Sequence, residues 1–581
     1  MKNDFEGLAF KHLFVPFVAE RVAQAVVVAR HPRCDLTDET LLARYAYAVP
    51  REGTGRGKVF YAERYGGDGI SFHGGGARCG YDGQFQLKGI GPNPLLGDKA
   101  DPRHNDGQIT LKAALSEFTW SRSLQDILPF GAVQCPAVIA MSPIQAAPSA
   151  AVRPTRGLVV RESALRPAHF DRSAYFRPRH DMRGQRREDV ARVREMIALL
   201  PELLPRAPDL LRDGWHALDA RERLERGLQE FVRRAAIQCA AAKSLLLLHN
   251  LSLSNIALDG RWLDLTSVAS LHPGEAYGEE NFDIAWNELK WQAAPILRGL
   301  LSICFQADKY AFEGRGAMTA LCTGAMGRFE REHAHAGSRY LLAFAGIPMI
   351  VADRMYRDAR CLEWATRLSA HIDAALTSHV VNARYLAGIA RARAAPAANL
   401  LHYTFAREFD ADWVRLGNLG RDVDPALQRL FPEVLALAVA SAREIGIGRQ
   451  PLLFAIAVNA LKHASERVGL DFDSIDAELQ AWCDEHARAG APADGTLQAH
   501  VDRLRSRIVG RLSRDPDTML TIATGAGSRR LRYDLTSNRL VETRDGRAVE
   551  FPDFINERNC TDFALLETLG CLGRQHEIQE R

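Results

Sequence analysis

One stretch of the chain is far richer in glycine than the rest, and it restricts the local fold more than any other feature. Ten of the 26 residues from Gly66 to Gly91 are glycine, whereas the 45 glycines in 581 residues would give about two. Glycine adopts backbone conformations that other residues avoid, and it weakens helices. This density predicts tight turns between short strands, and it makes Gly74, Gly75 and Gly76 candidates for close approach to a ligand.

A predicted strand follows these turns. Residues Gln84–Lys88 alternate between polar and apolar side chains, so Lys88 lies on the polar face. A glycine-rich turn followed by a strand lysine is how several nucleotide sites bring backbone amides and one ammonium group to phosphates. The alternative is a solvated lysine at the edge of a sheet.

Lysine is scarce in this chain, which contains ten lysines and 64 arginines. An arginine does not readily replace the compact ammonium group at a phosphate site. A lysine retained at position 88 therefore favours the phosphate-binding interpretation.

The composition excludes several classes of protein. With 47% hydrophobic and 25% charged residues, the chain is typical of a soluble globular protein. Its 74 basic and 71 acidic residues nearly cancel, so no nucleic-acid partner is indicated. The ten cysteines form no CxxC pair, which favours a reduced, cytoplasmic location. The apolar run Leu341–Ala352 is shorter than the roughly 20 residues of a membrane span.

The pattern of apolar residues divides the chain into four predicted parts. Residues 1–40 are interpreted as an N-terminal extension, and residues 41–143 as a small sheet-rich lobe with one helix near Ile109–Leu128. Residues 144–395 are predicted to form a larger, helical lobe. Residues 396–581 are expected to be an accessory domain that is helical to about Leu512 and ends in short strands. The expected fold class is therefore α+β.

A second motif lies in the segment His249–Ser267. Asp259-Gly260 is a strong signal for a two-residue hairpin turn of type I′. Such a turn would place Asn255 directly opposite Asp264, with Cβ atoms about 4.5–5.5 Å apart. An amide oxygen and a carboxylate at this separation can share one Mg²⁺ ion, which keeps positions for water and phosphate oxygens. An ordinary polar pair at the base of a hairpin is the alternative.

The chain order of these elements is that of a protein kinase: a glycine-rich turn, Lys88, Glu117 on the following helix, then Asn255 and Asp264. The sequence resembles in particular the selenoprotein O (SelO) family of protein adenylyltransferases, over roughly residues 63–300. The stretches that carry the resemblance are GGARCGYDGQFQLKGIGPNPL, DGQITLKAALSEF, LVVRESALRPAHF, SLSNIALDGRWLDL and NFDIAWNELKW.

The resemblance implies a two-lobed protein-kinase-like fold and an enzyme that uses ATP and Mg²⁺. Lys88 would hold the nucleotide phosphates and pair with Glu117, while Asn255 and Asp264 would bind the metal. In that family ATP is thought to be inverted relative to ordinary kinases, so that AMP is transferred. The acceptor would be a protein or peptide.

Two arginines also match the family, although the spacing between them is shorter here. Arg161 and Arg166 would hold the end of the triphosphate. Two departures concern the general base: Ser254 replaces an acidic residue, and Asn250 stands where an ordinary kinase has its catalytic aspartate. Since a carboxylate acceptor is already ionised near neutral pH, it would need no base.

The chain also resembles the MchC-type microcin-maturation proteins, which act on small ribosomal peptides. That resemblance implies ATP-dependent activation of a peptide carboxylate, in company with a partner maturation enzyme. A phosphotransferase and a nucleotide-binding scaffold without turnover are the alternatives.

Overall fold

The described part of the chain contains a large antiparallel sheet, two smaller sheets and a set of helices, which confirms the predicted α+β class. The structure is a computed structural model. It describes residues 2–7, 11–50, 56–67, 70, 72–98, 106–143, 155–179, 184–204, 214–270, 289, 291–312, 316–378, 425–449, 451–452, 455–456, 459, 470–489, 496–513, 518–524, 527–535, 539–542 and 548–549.

The large sheet contains nine strands, namely β1 (Phe14–Arg21), β2 (Ala25–Arg30), β3 (Tyr47–Ala48), β4 (Lys58–Glu63), β5 (Cys79–Tyr81), β6 (Phe85–Lys88), β7 (Ile109–Thr110), β8 (Ala137–Pro143) and β9 (Thr155–Glu162). Their spatial order is β2-β8-β9-β6-β5-β4-β1-β3, with β7 attached to β9. All neighbouring pairs are antiparallel.

The predicted lobe boundaries do not coincide with this sheet. Strands β1 and β2 lie in residues 1–40, which were expected to be an extension, and β9 lies in the expected helical lobe of residues 144–395. Six of the eight β9 residues are buried, because the strand lies between β6 and β8. An apolar run in a buried central strand lacks the alternation that distinguishes a strand from a helix, so sequence periodicity did not place it.

The helices are α1 (Asp38–Tyr45), α2 (Leu111–Ile127), α3 (Gln185–Leu203), α4 (Ala220–Ser244), α5 (Ala294–Ala311), α6 (Ala317–Phe344), α7 (Met349–Met355), α8 (Ala359–Ser378), α9 (Pro425–Arg443), α10 (Phe472–Ala489) and α11 (Thr496–Leu512). Helix α2 confirms the helix predicted near Ile109–Leu128. It begins after Thr110, whose side chain accepts a hydrogen bond from the amide of Ala113, as an N-cap does.

The expected accessory domain, residues 396–581, does not pack as one separate unit in the described part of the chain. Helix α9 shares a hydrophobic core with α7 and α8, whereas α10 and α11 pack against α2. The predicted terminal strands are present as β12 (Thr518–Thr524), β13 (Gly527–Asp534), β14 (Arg539–Glu542) and β15 (Ala548–Val549), which form an antiparallel sheet in that order.

A further short strand pair, β10 (Leu247–Leu248) and β11 (Ala269–Ser270), closes the base of the segment that contains Asn255 and Asp264. Among the described residues, no helix has the length and apolar character required to cross a membrane.

Candidate functional site

Strand β6 and helix α2 bring Lys88 and Glu117 together in the protein interior. The Lys88 Nζ atom lies 2.5 Å from Glu117 Oε2, and both side chains are almost completely buried. Lys88 also forms an ion pair with Asp264 Oδ1, and the Asp264 side chain is 29% exposed. Lys88 therefore contacts both Glu117 and Asp264, although 176 positions separate it from Asp264.

The two predicted arginines extend this contact. Arg161 lies on β9, opposite Gln86 on β6. Its Nη1 atom donates to Glu117 Oε1 at 2.9 Å, and its Nε atom donates to the Gln86 side chain. Arg166 follows β9, and its Nη1 atom donates to the backbone oxygen of Ser254 at 3.0 Å. Both guanidinium groups are buried, and that of Arg166 lies against the residue that precedes Asn255.

Seven ionisable side chains form what we call the charged cluster: Glu63, Arg78, Lys88, Glu117, Arg161, Arg166 and Asp264. Four are cations and three are carboxylates, so the cluster carries one excess positive charge. Because opposite charges attract, this surplus favours a bound anion.

Arg78 was not recognised from the sequence. Its Nη2 atom lies 4.0 Å from Asp264 Oδ1, and its side chain is 27% exposed, whereas Lys88 is 1% exposed. Arg78 therefore lies at the solvent-facing side of the charged cluster. The only sequence feature that could have indicated Arg78 is its position in the glycine-rich stretch, two residues after Gly76.

Asp264 is held as a carboxylate. Burial alone would raise the pKa of Asp264, but the positive charges of Lys88, Arg78 and Arg161 outweigh burial and hold it well below its ordinary value. Burial also favours the neutral form of Glu63, but the contact with His169 and the charge of Arg166 lower the pKa of this carboxyl group. Both groups are therefore negatively charged at neutral pH.

The glycines Gly74, Gly75 and Gly76 lie against the end of β4. The Gly74 amide donates to the backbone oxygen of Leu95 at 2.9 Å, and the Gly76 amide donates to that of Glu63 at 2.9 Å. These two expected phosphate donors are already used within the protein. The glycines shape the turn that presents Arg78 instead.

Gly75 cannot be replaced without strain. Its φ is +146°, and an added Cβ atom would lie 2.1 Å from the backbone oxygen of Glu63. We expect Gly75→Ala to reduce the free energy of unfolding by about 3 kcal/mol, as judged by urea denaturation. Gly83→Ala is the matched control, since Gly83 also has a positive φ, +101°, but its Cβ would meet no described atom within 4 Å. Equal losses in the two variants would contradict the close approach at Gly75.

The predicted pairing of Asn255 with Asp264 is wrong by one residue. The Ala257 amide donates to the backbone oxygen of Arg261 at 2.8 Å, and the Gly260 amide donates to that of Ala257 at 2.9 Å. The loop thus has three residues and ends at Gly260, whose φ is +87°. Asn255 consequently lies opposite Leu263, whose amide donates to the Asn255 backbone oxygen at 3.1 Å.

Contacts between Asp259 and Arg261 explain why the three-residue loop forms. The Asp259 carboxylate accepts a hydrogen bond from the Arg261 amide at 3.2 Å and another from its guanidinium Nε at 2.7 Å. Arg261 also donates to Glu162 at 2.5 Å. These buried contacts turn Arg261 toward β9 and favour the three-residue loop over the two-residue turn.

Asp264 still reaches the charged cluster because its own backbone is unusual. Its φ is +62° and its ψ is 58°, in the left-handed region that residues other than glycine rarely adopt. This conformation, rather than a cross-strand pair, brings the carboxylate to Lys88. Strained backbone of this kind is frequent at functional sites.

His249 contacts the chain on both sides of Asp264, at Leu263 and at Ser267. It was not among the site residues predicted from the sequence. Its Nε2 atom lies 3.1 Å from the backbone oxygen of Leu263, and its Nδ1 atom lies 3.3 Å from Ser267 Oγ. Burial lowers the pKa of His249 to about 4, so the ring is neutral at pH 7. Because a carbonyl oxygen only accepts, Nε2 carries the proton and Nδ1 accepts from Ser267.

Two buried histidines, His249 and His169, are neutral in the folded protein, and the stability is therefore expected to depend on pH. Burial lowers the pKa of both His249 and His169 to about 4, from an ordinary value of 6.5. Between these values the unfolded chain binds protons that the folded chain does not, so stability is lost as the pH falls from about 6.5 toward 4. Over this pH range each histidine is expected to lower the free energy of unfolding by on the order of 3 kcal/mol.

Urea denaturation at about pH 7.5 and about pH 5 checks this dependence, and a lower midpoint at the acidic pH is expected. His249→Gln should weaken the dependence, because the titrating group is removed. An unchanged midpoint in the wild type would contradict the buried neutral state.

The side chains of Asn255 and Asp264 offer oxygens of the kind that Mg²⁺ prefers. Asn255 Nδ2 donates to the backbone oxygen of Asn250 at 2.7 Å, and Ser254 Oγ donates to Asn255 Oδ1 at 3.3 Å. Within the described residues, no group of three His, Cys, Asp or Glu side chains is arranged around a metal position. One ionised carboxylate and one amide oxygen suit Mg²⁺, which retains several waters and binds phosphate oxygens.

Comparisons with known proteins add no assignment: no protein-family model matches the chain, and no curated protein matches its sequence.

Proposed function

We propose that the protein binds Mg-ATP at the charged cluster and transfers AMP to a protein or peptide acceptor. The contact of Lys88 with both Glu117 and Asp264 carries this proposal. A lysine held by a helix glutamate beside a metal-binding aspartate is the arrangement with which protein kinases bind nucleotide phosphates.

We further propose a kinase-like division of the chain, with the large sheet and α2 as the small lobe and the helices from α3 to α8 as the larger one. The contact between His249 and the backbone oxygen of Leu263 supports this division. It joins the first residue of the segment His249–Ser267 to the residue that precedes Asp264. The segment also follows a long helix, α4, and carries Asn255 between these two points.

The exposure of the cations favours AMP transfer over phosphate transfer. Arg161 and Arg166 are both 2% exposed, and Arg78 is on the solvent side of the cluster. A triphosphate whose end lies against the two buried arginines would keep its γ-phosphate away from any acceptor. Its α-phosphate would then lie toward Arg78 and the solvent, where an acceptor can approach.

The protein residues would act mainly by position and charge, which supply most of the catalysis in phosphate transfer. Lys88 would hold phosphate oxygens while Glu117 keeps the ammonium group in place. Asn255 and Asp264 would hold Mg²⁺, which neutralises charge on the phosphates when bound. Arg161 and Arg166 would stabilise the negative charge that develops on the leaving pyrophosphate.

A carboxylate acceptor suits this site best. Asn250 and Ser254, the two positions where a general base is expected, both carry neutral side chains. A peptide carboxylate is ionised near neutral pH and needs no base. One of its oxygens would form a bond to the α-phosphorus, the bond from that phosphorus to the bridging oxygen would break, and pyrophosphate would leave with the electron pair. This chemistry would suit the maturation of a ribosomal peptide such as a microcin, with a partner enzyme.

The second candidate function is a nucleotide-binding scaffold in a modification complex. The neutral side chain of Asn250 favours it, because this residue stands where an ordinary kinase has its catalytic aspartate. Such a protein would bind Mg-ATP without consuming it.

ATP labelled at the α or the γ phosphate separates these functions. Transfer of the α label to a candidate peptide, with release of pyrophosphate, is expected. Transfer of the γ label instead would establish a phosphotransferase. If the wild type binds Mg-ATP but transfers neither label and releases no pyrophosphate in the presence of peptide and partner, the scaffold function stands and the transfer reaction is overturned.

A further inference from the structure

Helix α2 is held from two opposite sides. On one side, Glu117 contacts the charged cluster. On the other, three residues form ion pairs with the C-terminal helices α10 and α11, and the pairs are Lys112 with Asp476, Arg122 with Asp502, and Asp126 with Arg505. The first is 2.7 Å long, from Nζ to Oδ2, and the second is 2.5 Å, from Nη1 to Oδ1.

The spacing of these residues defines the two sides. At 100° per residue, Lys112, Arg122 and Asp126 lie within an arc of about 80° on the helix surface. Glu117 lies about 180° from the middle of that arc. The C-terminal helices thus contact the face of α2 that is directed away from Lys88.

Apolar packing reinforces the ion pairs. Buried side chains of α10 and α11, including Leu479, Val501 and Leu504, belong to the same hydrophobic core as Leu115 and Phe118 of α2. The helices therefore meet through buried apolar side chains as well as through the three ion pairs.

The interface also continues to the sheet. Gln498 of α11 accepts a hydrogen bond from the amide of Arg30, the last residue of β2, at 2.7 Å. The Nε2 atom of the same side chain donates to Asp502 Oδ2 at 3.0 Å. Asp502 is therefore oriented by the sheet while it pairs with Arg122, so α11 connects α2 to the strands.

We propose that α10 and α11 form a built-in clamp that keeps α2 in the position where Glu117 meets Lys88. The clamp rests on the proposed function, because the Lys88–Glu117 contact matters there for phosphate binding. Moving α2 outward would separate Glu117 from both Lys88 and Arg161, and the phosphate site would lose its geometry. Asp476 and Asp502 are positioning residues, which touch neither nucleotide nor acceptor.

The test uses the full-length double variant Asp476→Asn/Asp502→Asn, which removes two clamp charges without altering the charged cluster. We expect the affinity for Mg-ATP to fall about tenfold, within the usual range for coupling between distant sites. Amide hydrogens of α2 should exchange faster than in the wild type. Asp476→Glu/Asp502→Glu keeps the charges and should retain the wild-type affinity.

Asp353→Asn is the matched control, since Asp353 pairs with Arg339, and it is about as exposed as Asp502. It should leave affinity and α2 exchange unchanged. If the wild type binds Mg-ATP and the double variant binds it equally well, the clamp is overturned, even if the variant melts at a lower temperature. If the wild type binds no nucleotide, the proposed function fails, and α2 exchange then decides the clamp: faster exchange supports it and equal exchange overturns it.

Discussion

Replacing Lys88 with methionine is expected to reduce AMP transfer about a thousandfold, as the loss of a preorganised charge at a reacting phosphate does. The ammonium group is buried at the centre of the charged cluster and contacts both Glu117 and Asp264. Methionine fills a similar volume and leaves Glu117 its second partner, Arg161 at 2.9 Å, so the fold should persist. The measurement is the rate of α-label transfer at saturating Mg-ATP.

Lys309→Met is the control for this substitution. Lys309 lies on α5, over the ring of Tyr310, and takes no part in the charged cluster. Its replacement should leave the rate unchanged. Lys88→Arg should not restore activity, because the planar guanidinium group does not reproduce a compact ammonium charge. A Lys88→Met protein that is folded and keeps more than about a tenth of the wild-type rate would contradict the role given to this lysine.

Replacing Asp264 with asparagine is expected to remove the magnesium dependence of ATP binding and to lower AMP transfer about a hundredfold. The carboxylate is ionised, since Lys88, Arg78 and Arg161 overcome the effect of burial and keep its pKa low. Asparagine tolerates the left-handed backbone found at this position, so the change removes charge without adding strain. The affinity for ATP is measured with and without Mg²⁺.

Asp264→Asn should bind metal-free ATP at least as well as the wild type, because one negative charge has left a cluster that binds an anion. Asp264→Ala is a useful second variant, since alanine is strained in the left-handed backbone and should also lower stability. If Asp264→Asn shows the same magnesium dependence as the wild type, Asp264 is not a metal ligand.

The sequence was sufficient to bring the central residues together but not to give their geometry. The kinase-like order and the family resemblance implied that Lys88 pairs with Glu117 and that Asp264 acts at the same site, and the structure brings these residues together. The predicted hairpin register was wrong because the sequence Asp259-Gly260 is compatible with either a two-residue or a three-residue loop. The buried contacts of Asp259 and Arg261, which involve Glu162 of a distant strand, favour the longer loop.

Other features depend on contacts that no local pattern contains. Strand β1 pairs with β4 and one edge of β9 pairs with β6, and neither pair consists of strands that are neighbours in the chain. The pairs of Lys112 with Asp476 and of Arg122 with Asp502 span 364 and 380 positions. Arg78 belongs to the charged cluster only because the glycine-rich turn brings it close to Asp264. Such associations arise in the folded core and leave no periodic signal in the sequence.

Calorimetric titration with Mg-ATP, performed on the wild type and on Lys88→Met, tests most directly whether the charged cluster is a nucleotide site. We expect the wild type to bind one Mg-ATP per chain with a Kd between about 1 μM and 1 mM, the range of typical enzyme substrates. Lys88→Met should bind at least about tenfold more weakly. No binding by the wild type, or equal binding by the two proteins, would contradict the assignment of the charged cluster as a nucleotide site.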